Sequence, residues 1–508
     1  MAIAQALPRL PYADPIRLAD IPLLDVEDWR RAVVEQSDAG YRITALFGRP
    51  RDDGRVGLVA IFSQADTSTI TVVTTDVADR YPALTPDCPQ AHWFEREIAE
   101  QWGIVPEGHP WLKPIRFHAS YRPGHDAWSR AVGDTILPSV TDFYRVEGAE
   151  VHEVAVGPVH AGVIEPGHFR FQCHGEHVFH LEISLGYQHR GIERALRGGP
   201  DKRTIPRIEA TAGDTSVGHM LAYAQAVEAL AGCEPPLRAQ VLRAVALELE
   251  RLANHTGDLG ALANDVGFLP TASYCGRLRG DFLNATALLC GNRFGRCLVR
   301  PGGVLWDVEP ARAEQLIARL KAALKDVAGA AGVLWDAPTV QARFEDTGTV
   351  SQKDALALGL VGVAARACGI DRDVRRDYPT GFFRFSFIPV STWHTGDVFA
   401  RAYVRWLEIQ RSGQFVLQQL ESLPSGPVLD ACGAMMPEAL VVSRVEGWRG
   451  VICHVAITDA LGKFAHYKIV DPSFRNWIGL SMALRNQQIS DFPLCNKSFN
   501  LSYCGHDL

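Results

Sequence analysis

Glu248, Arg251, His255 and Asp258 recur at steps of three and four residues. Such steps place side chains on one helix face. The stripe mixes carboxylates, a guanidinium and an imidazole, groups that carry protons near neutral pH or pair with one another when buried. Its plainer alternative is a solvated helix face held by intrahelical pairs. Cys173, His174, Glu176, His177 and His180 gather metal-ligand residue types in one short stretch. Alternate residues of a strand point to opposite faces, however, and His174–Gly175–Glu176 reads as a hairpin tip, so the spacing argues against one shared ion. Eleven cysteines are scattered without a CxxC pair. Six residues separate Cys290 from Cys297 and eight separate Cys495 from Cys504, spacings that suit neither a closed zinc site nor an iron–sulfur site. They read as reduced, mostly buried thiols of a cytoplasmic protein. Cys504 and His506, in the polar tail SFNLSYCGHDL, are the remaining candidate ligands.

The elements that must hold these groups follow from periodicity. LRAQVLRAVALELERLANHTGDLGALAND carries Leu242, Val245, Leu249 and Leu252 at a helical period, and the polar stripe lies on the same long helix. Helical segments are predicted over roughly 311–329, 352–367, 397–422 and 476–487, with strands at VICHVAIT and FAHYKIV and an irregular tail. Earlier, YRITALFG, VGLVAIFS and TITVVTT are β-rich runs, followed by a helix near 91–101. VHEVAVGPVH and HFRFQCHGEHVFHLEISLG alternate as a small antiparallel sheet does. The chain of 508 residues is 47% hydrophobic and 21% charged, values that allow two or three domains with sizeable cores. A net charge of −7 without a basic block argues against a nucleic-acid partner. The first twenty residues have no secretion-signal pattern, and no apolar stretch reaches the length of a membrane span.

Two blocks name a family. WFEREIAEQWGIVPEGHPWLKPIRF resembles the signature of the complex I thirty-kilodalton subunit, with Glu100 where the family usually has aspartate. GPVHAGVIEPGHFRF, GYQHRGIER, LELERLANHTGDLGALAND, NRFGRCLVRPGGV, GDVFARAYVRWLEI and EGWRGVICHV follow in order. That series is similar to the complex I forty-nine-kilodalton subunit, and more closely to the large subunit of membrane-bound energy-converting nickel–iron hydrogenases of the hydrogenase-4/formate hydrogenlyase type. The resemblance implies an α+β chain: a small N-terminal α/β domain over 20–118, a linker over 119–150, and a mainly helical hydrogenase-large-subunit-like domain with small β-sheets over 151–508.

The resemblance also says what is missing. A nickel–iron centre needs four thiolates. Counting along the family's motifs puts the cysteine positions on Ala212, Thr215, Ser502 and Gly505, so all four ligands are lost and no metal is expected in this chain. The sequence ends three residues after Gly505, and no cleavable extension is expected. The quinone-binding His and Tyr positions fall on Ile164 and Gly213, which cannot donate a proton, while His160 remains. Glu193 matches the hydrogenase glutamate that relays protons, for which a raised pKa is expected; an ion pair with Arg190 or Arg194 is the alternative. Arg449 matches the arginine over the metal site, where its fork would hold an anion or carboxylate, unless it pairs with Glu446. His189, in the same HRGIE motif as Glu193, completes the candidate catalytic set. Glu248, His255 and Asp258, with Asp397 and Arg401 of GDVFAR, would lie in the helical core as a candidate proton path or as structural pairs.

By resemblance the chain is a cytoplasmic-face subunit attached to the inner (cell) membrane through its partners. Those are a small iron–sulfur subunit, a ferredoxin-like subunit and antiporter-like membrane subunits. Iron–sulfur clusters are expected in the partners and no cofactor here. The expected role is coupling of electron transfer or conformational change to ion translocation, with the chain's own catalytic centre lost. A redox-inactive scaffold and an active hydrogenase large subunit are the alternatives.

Overall fold

A computed structural model describes residues 7–51, 53–64, 68–161 and 164–508, so Gly162 and Val163 of the GPVHAGVIEPGHFRF motif lie outside the described residues. The three β-rich runs form the antiparallel strands β3 (Arg42–Pro50), β4 (Val56–Gln64) and β5 (Thr69–Val77), with β1 (Leu10–Pro11) on the β5 edge. Leu46 stands opposite Ala60, and Ala60 opposite Val73. These strands are buried on both faces, which explains their continuous rather than alternating apolar text. Helices α1 (Val26–Asp38) and α2 (His92–Trp102) pack on this sheet. β2 (Ile16–Arg17) instead leaves the unit and pairs with a strand more than four hundred residues later.

Residues 118–150 contain no helix or strand. A three-stranded meander follows: β6 (Val151–Val156), β7 (His168–His174) and β8 (His177–Ser184), with Gly175 and Glu176 at the hairpin tip. Cys173 is buried on the inner face, whereas His174 turns outward to Glu150 at 2.9 Å.

The larger part is built on four helices that pack around one axis. After α3 (Ile192–Leu196) and α4 (Ser216–Ala231) come α5 (Leu237–Asp265), α6 (Leu269–Cys290), α7 (Pro310–Trp335) and α8 (Val398–Glu421). α5 contacts α6 and α8, and α7 closes the bundle against both. The helix expected over 352–367 is two short turns, Gln352–Ala357 and Gly362–Arg366. Gly362 opens the second at φ +62°, so close to the Arg449 carbonyl that a Cβ would lie 2.1 Å from that oxygen.

β9 (Ala439–Gly447), β10 (Gly450–Thr458) and β11 (Phe464–Val470) form the last sheet, with β2 on the β9 edge and α4 across its face. Beyond α9 (Pro472–Ala483) the tail differs from the expected irregular segment: α10 (Phe492–Phe499) and α11 (Tyr503–Asp507) are helical. Their buried Phe492, Leu494, Phe499 and Tyr503 supply the packing that makes such short helices worth forming. No helix among the described residues is long and apolar enough to cross a membrane.

Trp477 on α9 is the tail's anchor. It is fully buried, with the Tyr503 ring at 4.8 Å and the Phe169 ring of β7 at 6.3 Å. Trp477→Ala is expected to cost about 3–5 kcal/mol, read as a lower denaturation midpoint in urea with the slope unchanged.

Candidate functional site

The loop 210–215 and the last turn of the chain face one another. Arg190 bridges them, donating to the Ala210 and Thr211 carbonyls and to that of Cys504 at 2.9 Å. The four positions counted as lost thiolates do meet here, and their present residues have other tasks. The Ser502 hydroxyl accepts from the Gly505 amide at 2.9 Å as the N-cap of α11. The Thr215 hydroxyl donates to Asp214 at 3.0 Å and accepts from Trp448 Nε1 at 3.2 Å. Ala212 is buried and apolar. Gly505 lies under the Asp471 carboxylate, where even a Cβ would stand 2.7 Å from its carbon and oxygen. A cysteine there would collide. These residues do not fit a nickel–iron centre.

Arg449 occupies the heart of the pocket. Both of its terminal nitrogens bind Asp214, each at 2.7 Å, and Nε donates to the Asn500 carbonyl at 2.5 Å. The guanidinium lies 3.8 Å from the Trp448 ring centroid. Its carboxylate is therefore Asp214, not Glu446. Burial works to raise the Asp214 pKa, but the Arg449 charge and hydrogen bonds outweigh it and hold Asp214 below its ordinary value. Below the pair, His219 on α4 joins Asp471 (3.0 Å) to His454 (3.1 Å), which continues to the Tyr467 hydroxyl at 2.9 Å.

Cys504 is 3.3 Å from the Ser502 hydroxyl, and burial pushes its thiol up to about 11, which keeps it protonated at neutral pH. His506 turns to Asp507 at 2.9 Å. No group of three His, Cys, Asp or Glu side chains among the described residues could hold a metal ion. His189 Nδ1 donates to the Asp507 carbonyl at 2.8 Å; burial, with His118 and Arg116 nearby, lowers its pKa to about 4. The ring ties down the tail. Ile164 is exposed, and His160 bonds its own loop at the Gly167 carbonyl, 2.9 Å away.

Glu193, at the start of α3, reverses its expectation. Neither Arg190 nor Arg194 is its partner; Lys468 on β11 is, at 2.9 Å, with the Ile469 amide at 2.8 Å. Burial favours the protonated acid, yet Lys468 and Arg116 together bring the pKa below the ordinary value. Lys468 also reaches Glu97 of α2 at 2.6 Å, and Glu97 in turn pairs with Arg116. The ERE helix and HRGIE thus meet in one buried ionic cluster. Glu100 accepts from the Arg116 and Phe117 amides at 2.9 and 2.6 Å, a fit the longer glutamate makes.

The polar stripe of α5 is buried, not solvated. Glu248 binds Arg251 and Arg375 at 3.0 Å and the Ser412 hydroxyl at 2.6 Å. His255 meets Glu408 of α8 at 2.9 Å, and Arg366 reaches both Glu408 and Glu446 at 2.7 Å. Asp373 pairs with Arg375 at 2.6 Å. Four carboxylates here face three guanidiniums and one imidazole. Burial and the neighbouring Asp373 raise the pKa of Glu446, whereas arginines hold Glu248 and Glu408 low against burial; Glu446 is the first of these to take a proton as pH falls. Burial keeps His255 below its ordinary value despite Glu408. Asp258 stands aside, paired with Arg405 at 2.8 Å and Asn500 at 2.5 Å. Asp397 caps α8 through the Ala400 amide at 2.8 Å, and Arg401 donates to Ser498 and to two carbonyls. The structure does not bring those two into the network.

Sequence reasoning missed Glu250. It follows Glu248 by two positions on α5, so it faces away from the stripe, toward Asp214 and the start of α4. It accepts from the Val217 and Gly218 amides at 2.8 and 3.2 Å, at the N-terminus of α4. Burial raises its pKa to about 8, against those amides and with Asp214 adding to the rise. The signal available was one more carboxylate in LELER.

The comparisons agree with this architecture. Residues 265–507 match the family of the respiratory-chain NADH dehydrogenase 49 kDa subunit, and residues 25–129 that of the 30 kDa subunit. An NADH-quinone oxidoreductase subunit of Clostridium beijerinckii is 32% identical over 327 residues, covering 63% of this chain and 87% of that protein. Formate hydrogenlyase subunit 5 of Escherichia coli is 28% identical over 440 residues, 83% of this chain and 76% of that protein. Hydrogenase-4 component G of the same organism is 28% identical over 434 residues, 83% and 75%. The chain belongs to the complex I 49 kDa subunit family, here fused to a 30 kDa-type unit, a family shared with formate hydrogenlyase and hydrogenase-4 large subunits.

An unfolded chain releases the Glu250 proton near 4.5, while the folded protein keeps it to about 8. Between those values the folded state binds more protons, so stability falls as pH rises and levels off above 8. Glu250→Gln is expected to remove that decline, on the order of a few kcal/mol, in melting temperatures measured from pH 5 to 9.

Proposed function

We propose that this chain is a peripheral subunit of a membrane-bound complex related to complex I and energy-converting hydrogenases, coupling electron transfer or conformational change to ion translocation without a nickel–iron centre of its own. The observation that carries this reading is the occupancy of the old ligand positions: the Arg449–Asp214 pair, the Ser502 cap and the Asp471 carboxylate against Gly505. The names of the relatives support membership in such a complex. A small iron–sulfur subunit, a ferredoxin-like subunit and antiporter-like membrane subunits are the proposed partners, with iron–sulfur clusters in the partners and this chain on the cytoplasmic face.

Within that role the chain's own residues hold and move charge. Glu250 is the carboxylate near the vacated pocket that changes protonation close to neutral pH. The Glu408–Arg366–Glu446 network lies between the bundle and the last sheet, where a proton or a shift of α8 would alter its pairing. A scaffold reading rests on one specific observation: Lys468 and Arg116 keep Glu193 ionised, which leaves it an ion-pair partner rather than a relay.

Metal analysis of the purified chain is expected to find no stoichiometric nickel; one nickel per chain would refute the proposal. In the assembled complex, Glu250→Gln is expected to lower ion transport by about tenfold or more with assembly intact. Unchanged transport in both Glu250→Gln and Glu193→Gln would leave the scaffold.

A further inference from the structure

Arginines gather where β3 and β4 of the first sheet meet β9, β10 and α9. Arg42, Arg372, Arg444 and Arg475 line one small cavity there, with Ser63 and Tyr378. Its volume is ≈ 30 Å³, room for about two water-sized groups. Among the described residues none of the four arginines forms a carboxylate ion pair. The two acids on the lining are already engaged, Asp373 with Arg375 at 2.6 Å and Asp377 with Arg376 at 2.7 Å.

Arg444 is the centre of the arrangement. It is 3% exposed, and its guanidinium lies 3.5 Å from the Tyr378 ring centroid and 4.6 Å from that of Tyr12. Its Nε and Nη2 are buried without a well-formed hydrogen bond, as is the Thr44 hydroxyl, and the Tyr378 hydroxyl lies within reach of Arg444 and Ser63. Arg475 donates to the Ile43 and Thr44 carbonyls, which fixes its charge at the cavity edge. Glu446 acts on Arg42 from a distance but is itself bound by Arg366, and buried donors without partners are costly unless something negative meets them.

We propose that this cavity is a binding site for one compact monovalent anion, of halide or bicarbonate size, held by Arg444 and Arg42 with the Tyr378 hydroxyl. The site joins the N-terminal sheet to the last sheet, so its occupant fastens the two. Burial first, then the Arg372 and Arg475 charges, depress Arg42 to about 9, the strain an anion would relieve. Sulfate, larger and doubly charged, is the control for a site built for a small monovalent ion.

The test uses the full chain. Crystals soaked in bromide are expected to show an anomalous peak in the cavity, within reach of Arg444 and Tyr378. In solution, melting temperature at fixed ionic strength, balanced with gluconate, is expected to rise by about 1 °C per tenfold increase in bromide above its dissociation constant. Bicarbonate in place of bromide separates an oxyanion preference from a halide one, and sulfate is expected to act no differently from gluconate. In Arg42→Gln the rise is expected to vanish. No anomalous peak together with no rise in melting temperature in either bromide or bicarbonate overturns the proposal, and the diffraction arm needs only the unmodified protein. A peak without any halide-dependent rise means an adventitious ion only, and an equal rise in Arg42→Gln likewise overturns the assignment.

Discussion

Glu408 is fully enclosed, and a charge taken out of water must find its opposite within a few ångströms. Arg366, Arg251 and His255 supply it from the Gly362–Arg366 turn and from α5. Burial alone would protonate this carboxylate; three positive or donating neighbours hold it far below its ordinary pKa instead. The orientation of α8 against α5 and β9 is thereby fixed by directional bonds, where apolar packing would tolerate sliding. Such a network contributes little net stability compared with an apolar core, but it has few alternative arrangements. The network therefore specifies one arrangement of these elements more than it stabilises them.

The same constraint explains the vacated pocket. A buried Arg449 left facing four absent thiolates would be uncompensated, and Asp214 meets it with two parallel hydrogen bonds. Asp214 brings its own cost: its negative charge adds to the burial that keeps Glu250 protonated to about 8. On electrostatic grounds Glu250 on α5, and not Glu193 on α3, is the carboxylate that keeps a proton near neutral pH. Lys468 is the reason: with that ammonium at 2.9 Å, Glu193 has no reason to take a proton near neutral pH.

What the sequence made legible follows from what its signals encode. Strands β3, β4 and β5, the α5 helix and the family itself were readable, because period and motif are local properties. The α6 helix was not, since Leu269–Cys290 mixes Gly, Thr and Asn through a segment whose burial comes from α5 and α7 on either side. The partners of the buried charges were not legible. Asp214 for Arg449, and Lys468 for Glu193, are separated from them by more than two hundred residues. Pairing of that kind is a product of topology, and no spacing rule reaches it. The break at residues 358–361 was hidden for a similar reason, because Gly362 answers to the Arg449 carbonyl and not to its own helix.

The fusion of two family units in one chain has a physical counterpart. Glu97 and Arg116 come from the unit that matches the 30 kDa family, and Lys468 from the one that matches the 49 kDa family; Glu193 belongs to neither matched segment. Arg116 also donates to the His506 carbonyl at 2.9 Å, so the ERE helix is fastened to the same tail that fills the vacated pocket. Removing any one of these charges would strand the others in a low-dielectric interior, a penalty far larger than that of losing an exposed pair. The contact between the units is for this reason a fixed joint rather than a hinge. Within the bundle, Glu250 on α5 keeps its proton to about 8, while Arg366 ties Glu408 of α8 to Glu446 of β9.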